Sequence, residues 1–202
     1  MIYKVGVTGG IGSGKSSVTQ HFADFNVPTF SSDTIARELC EPGQASYVEI
    51  VGTFGRRILN EDNTLNRAEL GSIVFNDKAQ LKRLEAILHP AIFKTMHERA
   101  QSAQSPYCIL DIPLLVGTNE QLAVHRILVV NTDAELRKQR VMQRSGWSAE
   151  KTQSVMDNQL SNAELISAAD DVIVNNATLA ELVPLVKKLH QGYLTLARAR
   201  NY

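Results

Sequence analysis

The feature that most constrains the fold is an eight-residue segment, residues 9–16, which reads Gly-Gly-Ile-Gly-Ser-Gly-Lys-Ser. It matches in full the phosphate-binding pattern G-x-x-x-x-G-K-[ST]. A short apolar run, residues 2–7, precedes it and predicts a buried strand, while Val18, Phe22 and Phe25 follow at helical spacing. The segment therefore joins a strand to a helix, which a glycine-rich turn formed by chance would not be expected to do.

The residue types in this loop suit an anion. Glycines let the backbone wrap closely and point several N–H groups at one ligand, and the helix N-terminus adds a partial positive charge. Lys15 supplies a mobile charge for the β- and γ-phosphates of a nucleotide, and the Ser16 hydroxyl is a ligand for Mg²⁺. The sequence therefore predicts nucleotide binding.

Length and composition limit the number of domains, the class of binding partner and the location of the protein. The 202 residues are enough for one α/β domain with a small insertion. Lys and Arg together number 21, as do Asp and Glu, and zero net charge argues against a dedicated nucleic-acid binder. The apolar runs are too short to span a membrane, and the N-terminus has no signal-peptide pattern. Because Cys40 and Cys108 have neither metal-site nor disulfide spacing, we expect a cytoplasmic protein.

Five apolar runs alternate with helical patterns along the chain. The runs are residues 2–7, 27–30, 107–112, 126–130 and 171–174. This alternation predicts an α/β fold with a parallel sheet and helices on both faces. The stretch between the second and third runs has no strand pattern and is too long for a simple crossover. We therefore expect a core of residues 1–43 and 105–202, a helical insertion of residues 44–104 and a lid of residues 140–165.

Short local patterns predict where several helices begin. Thr132 with Glu135, and Thr178 with Glu181, have the spacing of capping boxes. Ser148 has the position of a cap for the helix that follows the interruption at Gly146.

Two prolines predict interruptions. His89-Pro90 separates two apolar helical runs and is expected to break the helix there. Pro184 lies inside the last helical pattern and predicts a late start or a kink.

Two absent motifs narrow the chemistry. The Asn-Lys-x-Asp motif of base-reading GTPases is missing, and the third strand ends in Asp111-Ile112-Pro113 without the Glu that activates water in motor ATPases. Asp111 is still a candidate for holding Mg²⁺ or its water. A small kinase fits better, since such enzymes need an acceptor pocket, a carboxylate near the γ-phosphate and arginines on a closing lid.

Charged residues of these kinds are present. Asp33 follows the second strand, so we expect it at the carboxyl edge of the sheet, where it either accepts the proton of an acceptor hydroxyl or caps a helix. Arg37 is one turn further along the same helix face. Arg140 and Arg144 share a face that points towards Gly146, and they either bind phosphate or form a solvated surface.

An ordered set of motifs resembles the dephospho-CoA kinase family, which is similar to the nucleoside monophosphate kinases. The matching segments, in order, are residues 7–16, 33–37, 54–55, 65–67, Phe75, 89–90, 113–115 and 169–173, and they end near residues 175–176. The resemblance implies a P-loop three-layer fold with a five-stranded parallel sheet, a helical substrate-binding insertion and a small lid.

The resemblance also implies a reaction. The γ-phosphoryl group of ATP would be transferred to the ribose 3′-hydroxyl of dephospho-CoA, giving CoA and ADP in the last step of CoA synthesis. Mg²⁺ would be the cofactor, held by Ser16 and, through water, by Asp111.

Specific residues carry the implied roles. The residues implied to bind ATP are Gly10, Gly12, Ser13, Gly14, Lys15, Ser16, Ser17, Asn175 and Ala177. Those implied to bind dephospho-CoA are Asp33, Arg37, Arg67, His89, Pro113 and Leu114. The catalytic group would be Asp33, Lys15, Arg140 and Arg144.

The chain departs from the family pattern in several places. Ser31 replaces the first Asp of an Asp-x-Asp, Gly117 replaces a Glu, and residues 62–63 read Asp-Asn in place of Asp-Gly. The arginine usual before the fifth strand is missing from the stretch that contains Asn162 and Leu165. Two alternatives therefore stay open, a small-molecule kinase with another hydroxyl acceptor and a non-catalytic nucleotide-binding regulator.

Overall fold

The computed structural model describes residues 2–113, 115–116 and 124–200. The chain divides into two compact units, which we call the sheet unit (residues 1–30 and 100–202) and the helical unit (residues 31–99). The helices, in chain order, are α1 Lys15–Asp24, α2 Ser32–Leu39, α3 Ala45–Phe54, α4 Arg67–Phe75, α5 Lys78–Ser102, α6 Ala134–Ser145, α7 Ala149–Asp157, α8 Asn162–Ser167 and α9 Leu179–Ala199.

A five-stranded sheet forms the centre of the sheet unit. The strands are β1 Tyr3–Thr8, β2 Thr29–Ser31, β3 Tyr107–Asp111, β4 Arg126–Asn131 and β5 Asp171–Val174, in the spatial order β2-β3-β1-β4-β5. β1 is parallel to β3 and β4, and β4 is parallel to β5. Every residue of β1 is buried, as expected for a central strand covered on both faces. The predicted α/β fold with a five-stranded parallel sheet is confirmed.

Helices cover both faces of this sheet. On one face, Phe22 of α1 and Val186 of α9 are fully buried in a cluster that includes Leu128 and Val130 of β4. Val129, which strand alternation places on the opposite face, is also buried, and α8 contacts β4. The apolar positions of α1 and α9 therefore fix α1, and with it the loop that precedes α1, against the centre of the sheet.

The helical unit has an apolar core of its own. Ile50 and Phe54 of α3 and Leu70 and Val74 of α4 are buried in it, and one face of α5 packs against this cluster. Within residues 44–99, which are all described, residues 59 and 65 form an isolated antiparallel bridge and no strand is present, in agreement with the absence of a strand pattern there. The predicted division into core, insertion and lid stays a prediction.

Both proline predictions need correction. α5 runs without interruption from Lys78 to Ser102, so the expected break at His89-Pro90 is wrong. Apolar side chains are buried or partly buried on both sides of Pro90, and this packing outweighs the backbone hydrogen bond that proline removes. Of the two alternatives for Pro184, the late start is wrong, because α9 already begins at Leu179. The kink stays a prediction.

Two predicted helix caps are confirmed. Thr178 and Glu181 form a reciprocal capping box at the start of α9, which explains why this helix begins before Pro184. Ser148 accepts a hydrogen bond from the Lys151 N–H and caps α7. Within the part of the chain that the structure describes, no helix combines the length and apolarity needed to cross a membrane.

Candidate active site

The phosphate loop leaves the end of β1 and leads directly into α1. Gly12 and Gly14 have φ values of 77° and 84°, a left-handed conformation that favours glycine. A Cβ atom at Gly12 would lie 2.6 Å from the carbonyl oxygen of Arg137, and one at Gly14 would lie 2.2 Å from Nδ2 of Asn175. Backbone conformation and close packing therefore both require glycine at these two positions.

The start of α1 is suited to an anion. Gly14 is its N-cap and provides no side-chain cap, and the first turn contains no acidic residue. The first N–H groups of a helix have no acceptor within the helix, and they carry its partial positive charge. Val18 and Phe22 are buried, so this end of α1 is held firmly in place. It is therefore a suitable site for a phosphate group.

Lys15, the first residue of α1, lies beside Asp111, the last residue of β3. Lys15 Nζ is 4.0 Å from Asp111 Oδ1, and the two side chains are 18% and 16% exposed. The pairing of Val7 with Asp111 in the β1–β3 register brings the carboxylate to this position. Ser16 is one residue further along α1 and is exposed. The structure thus brings together the loop lysine and Asp111, which were predicted separately.

The carbonyl oxygen of Ser13 is held by two buried side chains. Asn175 Nδ2 donates to it at 2.8 Å and Thr132 Oγ1 at 3.0 Å. Thr132 also approaches the Asn175 carbonyl oxygen at 3.2 Å. Asn175, at the end of β5, was predicted only as part of an adenine-side loop, and its contact with the phosphate loop is new.

The predicted capping box of Thr132 and Glu135 is wrong. α6 begins at Ala134, its N-cap is Asp133, and no side chain caps it. Thr132 is fully buried, and its hydroxyl is directed at the phosphate loop. The sequence spacing was that of a cap, but the buried carbonyl oxygens of Ser13 and Asn175 need a donor and outcompete the cap.

The structure places the two predicted lid arginines differently. Arg140 is half-buried, and its Nη1 donates to the Asn175 carbonyl oxygen at 3.1 Å. The same nitrogen is 3.8 Å from the position that a Cβ at Gly14 would occupy, so Arg140 lies beside the loop. Arg144 is exposed one turn later, close to Gly146, which ends α6 in a left-handed conformation. The described contacts thus join Arg140, but not Arg144, to the loop region.

Arg137 is the site residue that the sequence analysis missed. Its Nε donates to the Ile11 carbonyl oxygen at 2.9 Å, and the side chain is buried. The available signal was its position one helical turn before the buried Val141, which puts a charge on the packed face of α6. No comparable pattern marks its partners Gln159 and Asn162.

In the helical unit, Asp33 and Arg37 are both exposed on α2. The N-cap of this helix is Ser31, whose hydroxyl accepts from the Thr34 N–H at 3.4 Å. The alternative interpretation of Asp33 as the helix cap is therefore wrong. The Asp33 carboxylate is not used as the helix cap, so it is available to a ligand.

Arg67 and His89, two further acceptor candidates, also belong to the helical unit. Arg67 begins α4, and its Nη2 lies 3.4 Å from the carbonyl oxygen of Arg37 and 3.7 Å from Oε1 of Glu41. The unit therefore brings Arg67 to the backbone of α2. His89 is half-buried in the middle of α5, with its ring 6.0 Å from that of Phe93.

The remaining candidates lie in loops of the sheet unit. The Pro113 carbonyl oxygen accepts from Thr8 Oγ1 at 3.0 Å, which ties the turn after β3 to the end of β1. Pro113 also lines a small cavity of about 30 Å³ together with Gly10 of the phosphate loop. Ala177 is exposed between β5 and α9. Leu114 and Gly117 lie outside the described residues.

Comparisons with known proteins agree with this geometry. A family model described as dephospho-CoA kinase matches residues 3–181. A dephospho-CoA kinase of Methylococcus capsulatus is 42% identical over 195 residues, which cover 96% of this chain and 98% of the relative.

Two solved structures are similar over nearly their whole length. A protein of Thermus thermophilus has a TM-score of 0.82 at 30% identity, covering 95% of this chain and 97% of the other. A dephospho-CoA kinase from Campylobacter jejuni has a TM-score of 0.71 at 27% identity, covering 95% and 96%. The chain therefore belongs to the dephospho-CoA kinase family.

Proposed function

We propose that the protein transfers the γ-phosphoryl group of ATP to the ribose 3′-hydroxyl of dephospho-CoA, giving CoA and ADP. The single observation that carries this proposal is the uncapped start of α1, with Lys15 and Arg140 beside it, in a chain of the dephospho-CoA kinase family. Phosphoryl transfer depends mainly on positioning and on neutralising charge, which a backbone cradle and two cations provide.

ATP is proposed to bind through the phosphate loop. Its β- and γ-phosphates accept hydrogen bonds from backbone N–H groups of the loop and the first turn of α1, and Lys15 neutralises their charge. Arg140 and Arg144 neutralise negative charge on the phosphoryl group as it is transferred. The proposed ATP contacts are Gly10, Gly12, Ser13, Gly14, Lys15, Ser16, Ser17, Asn175 and Ala177.

Asp33 is proposed to orient the acceptor hydroxyl and take its proton. The 3′-oxygen forms a bond to the γ-phosphorus, the bond from this phosphorus to the β–γ bridging oxygen breaks, and ADP leaves with that electron pair. Support for Asp33 comes from the finding that Ser31, not Asp33, caps α2. The proposed acceptor contacts are Asp33, Arg37, Arg67, His89, Pro113 and Leu114.

Mg²⁺ is the proposed cofactor. The Ser16 hydroxyl and, through water, the Asp111 carboxylate are the side chains that would hold it, and both offer the oxygen ligands that Mg²⁺ prefers. The bound ion would neutralise charge on the β- and γ-phosphates. A cytoplasmic location is also part of the proposal, in keeping with two buried free thiols, Cys40 and Cys108.

The decisive experiment measures ADP release with ATP, Mg²⁺ and dephospho-CoA, followed by mass analysis of the product. We expect the mass of CoA, and we expect dephospho-CoA to outcompete nucleosides and other alcohols as acceptor. Preference for a different alcohol would favour another small-molecule kinase. Tight ATP binding with no ADP release would favour a nucleotide-binding regulator.

The first prediction concerns Asp33. Asp33→Asn should lower kcat about 10²–10⁴-fold, because the amide cannot accept the proton, while the Kd for ATP changes little. Glu49→Gln is a matched control in the same unit, since Glu49 is exposed and has no role in the proposal. Equal kcat values for Asp33→Asn and the wild type would remove Asp33 from the mechanism without affecting the proposed reaction.

A further inference from the structure

Arg137 of α6 is a buried cation whose partners are all neutral. The residue is 4% exposed. Nε donates to the Ile11 carbonyl oxygen at 2.9 Å, Nη1 to Oδ1 of Asn162 at 2.9 Å, and Nη2 to Oε1 of Gln159 at 3.3 Å. Across residues 2–113, 115–116 and 124–200, no carboxylate forms an ion pair with this guanidinium. We call the side chains of Arg137, Gln159 and Asn162 the Arg137 cluster.

A buried charge of this kind is unfavourable for the free protein. Removing a guanidinium from water without a counter-charge is costly, and burial accordingly lowers the pKa of Arg137. A neutral side chain would hold the same carbonyl and amide oxygens with a smaller desolvation penalty. The positive charge becomes favourable when an anion binds close by, because the interaction is strong where water is excluded.

The guanidinium touches the phosphate loop itself. A Cβ atom on Gly10 would lie 2.1 Å from Nη2 of Arg137, so glycine at this position makes room for the cation. Both backbone groups of the next residue, Ile11, are engaged, since its carbonyl oxygen accepts from Arg137 and its N–H donates to Gln159 Oε1 at 2.9 Å. The loop residues that precede Gly12 are therefore held by the Arg137 cluster.

The cluster also reaches the first turn of α8. Asn162 is the first residue of that helix, and its Nδ2 donates to the Thr132 carbonyl oxygen at 3.0 Å. The stretch around Asn162 is the one that lacks an expected arginine. The 2.9 Å bond between Arg137 and Asn162 brings a guanidinium from α6 to this stretch.

We propose that Arg137 is a positioning residue for ATP, which fixes the loop through Ile11 and supplies positive charge when the triphosphate binds. The proposal names a triphosphate because it rests on the proposed function. It assigns Arg137 no contact with the reacting atoms. It predicts that ATP affinity is kept when the guanidinium is supplied from position 162 and its amide partner from position 137.

The test compares Arg137→Gln with the exchange variant that carries both Arg137→Gln and Asn162→Arg. We expect Arg137→Gln to raise the Kd for ATP with Mg²⁺ about tenfold or more, since a charge-assisted set of hydrogen bonds becomes neutral. The exchange variant should return within about threefold of the wild type, because charge and hydrogen bonds are restored in one place. Arg137→Lys should fall between them, since it keeps the charge but not the fork geometry.

Adenosine binding separates a charge effect from a purely structural one. Adenosine has no phosphate groups, so Arg137→Gln should leave its Kd unchanged if the variant is folded, whereas general damage to the site would weaken both ligands. The proposal is overturned if folded Arg137→Gln binds ATP as the wild type does, or if the exchange variant binds ATP no better than Arg137→Gln.

Two further outcomes are also decisive. If Arg137→Gln does not fold, the exchange variant alone decides: wild-type ATP affinity supports the proposal, and a loss of more than about tenfold contradicts it. Because the readout is nucleotide binding, wild-type protein that binds ATP but never phosphorylates dephospho-CoA would count against the proposed function and not against this inference.

Discussion

The phosphate loop and the acceptor candidates of the helical unit are held in very different ways. In the loop, buried side chains fix the backbone: Thr132 and Asn175 bind the Ser13 carbonyl oxygen, and the Arg137 cluster engages both backbone groups of Ile11. In the helical unit, Asp33, Arg37 and Arg67 are exposed, and a 3.4 Å bond joins Arg67 to the Arg37 carbonyl oxygen.

This difference agrees with the ligands proposed for the two regions. Phosphate binding by a loop is a property of backbone N–H groups, so the fold must hold the backbone in one conformation before the ligand arrives. Exposed charged side chains, in contrast, become ordered only when the ligand binds. Substitutions in the loop should therefore change ATP affinity and stability together, whereas removal of an exposed arginine such as Arg37 or Arg67 should raise the acceptor KM and leave ATP affinity unchanged.

The largest effect on ATP affinity is expected for Gly14→Ala. The left-handed backbone at 84° disfavours alanine, and the new Cβ would meet Asn175 Nδ2 at 2.2 Å. The start of α1 has to shift, so the Kd for ATP should rise about 100-fold, similar to the loss of one preorganised donor. Calorimetric titration with ATP measures the affinity, and thermal unfolding measures the accompanying loss of stability.

Gly52→Ala provides the matched control for this substitution. Gly52 lies within α3 with no atom within 4 Å of the added Cβ, so alanine should be tolerated there. It should leave ATP affinity unchanged and increase the free energy of unfolding by about 0.4–1 kcal/mol. Wild-type ATP affinity in Gly14→Ala would show that the loop adapts to its ligand. It would contradict the conclusion that the loop, unlike the acceptor candidates, is held in one conformation before the ligand binds.

A smaller and more selective effect is expected for Arg67→Ala. The loss of one charge-assisted hydrogen bond at an exposed site should raise the KM for dephospho-CoA about tenfold, with the KM for ATP unchanged. Steady-state kinetics with each substrate varied in turn separates the two values. Arg57→Ala removes another exposed arginine of the same unit, to which we assign no role, and should change neither value. A parallel rise in both KM values for Arg67→Ala would contradict the proposed separation.

The same contrast explains how much the sequence predicted. The loop is a continuous motif in which the left-handed backbone at Gly12 and Gly14 favours glycine, and the strands are continuous apolar runs. The strands and the place of the loop between β1 and α1 were therefore predicted correctly, whereas phosphate binding by the loop is part of the proposal. Thr132 was misassigned because a capping pattern four residues long cannot reveal a buried carbonyl oxygen from a distant loop. The break at Pro90 and the late start at Pro184 were wrong because tertiary packing and the Thr178 capping box outweigh the local cost of proline.

Residues that support the loop from elsewhere in the chain were the hardest to predict. Arg137, Gln159 and Asn162 lie more than a hundred residues from Ile11, and polar side chains on helices are ordinarily solvated. Their role depends on the packing of α6 and α8 against the loop region, which leaves no periodic signal. The acceptor candidates, in contrast, are assigned by motif alone, and their roles stay predictions.

The smallest expected effect concerns Ser31, which departs from the family pattern. Its hydroxyl caps α2, so Ser31→Ala should reduce the free energy of unfolding by about 1 kcal/mol, whereas Ser31→Asp should stay within about 0.5 kcal/mol because Asp caps helices as well as Ser does. Chemical denaturation of both variants measures this difference. If the serine serves as a cap and Asp33 alone provides the carboxylate, Ser31→Asp should change kcat less than about threefold. A gain of about tenfold would mean that a second carboxylate takes part in turnover, and that the first turn of α2 is more closely adapted to the acceptor than its exposure indicates.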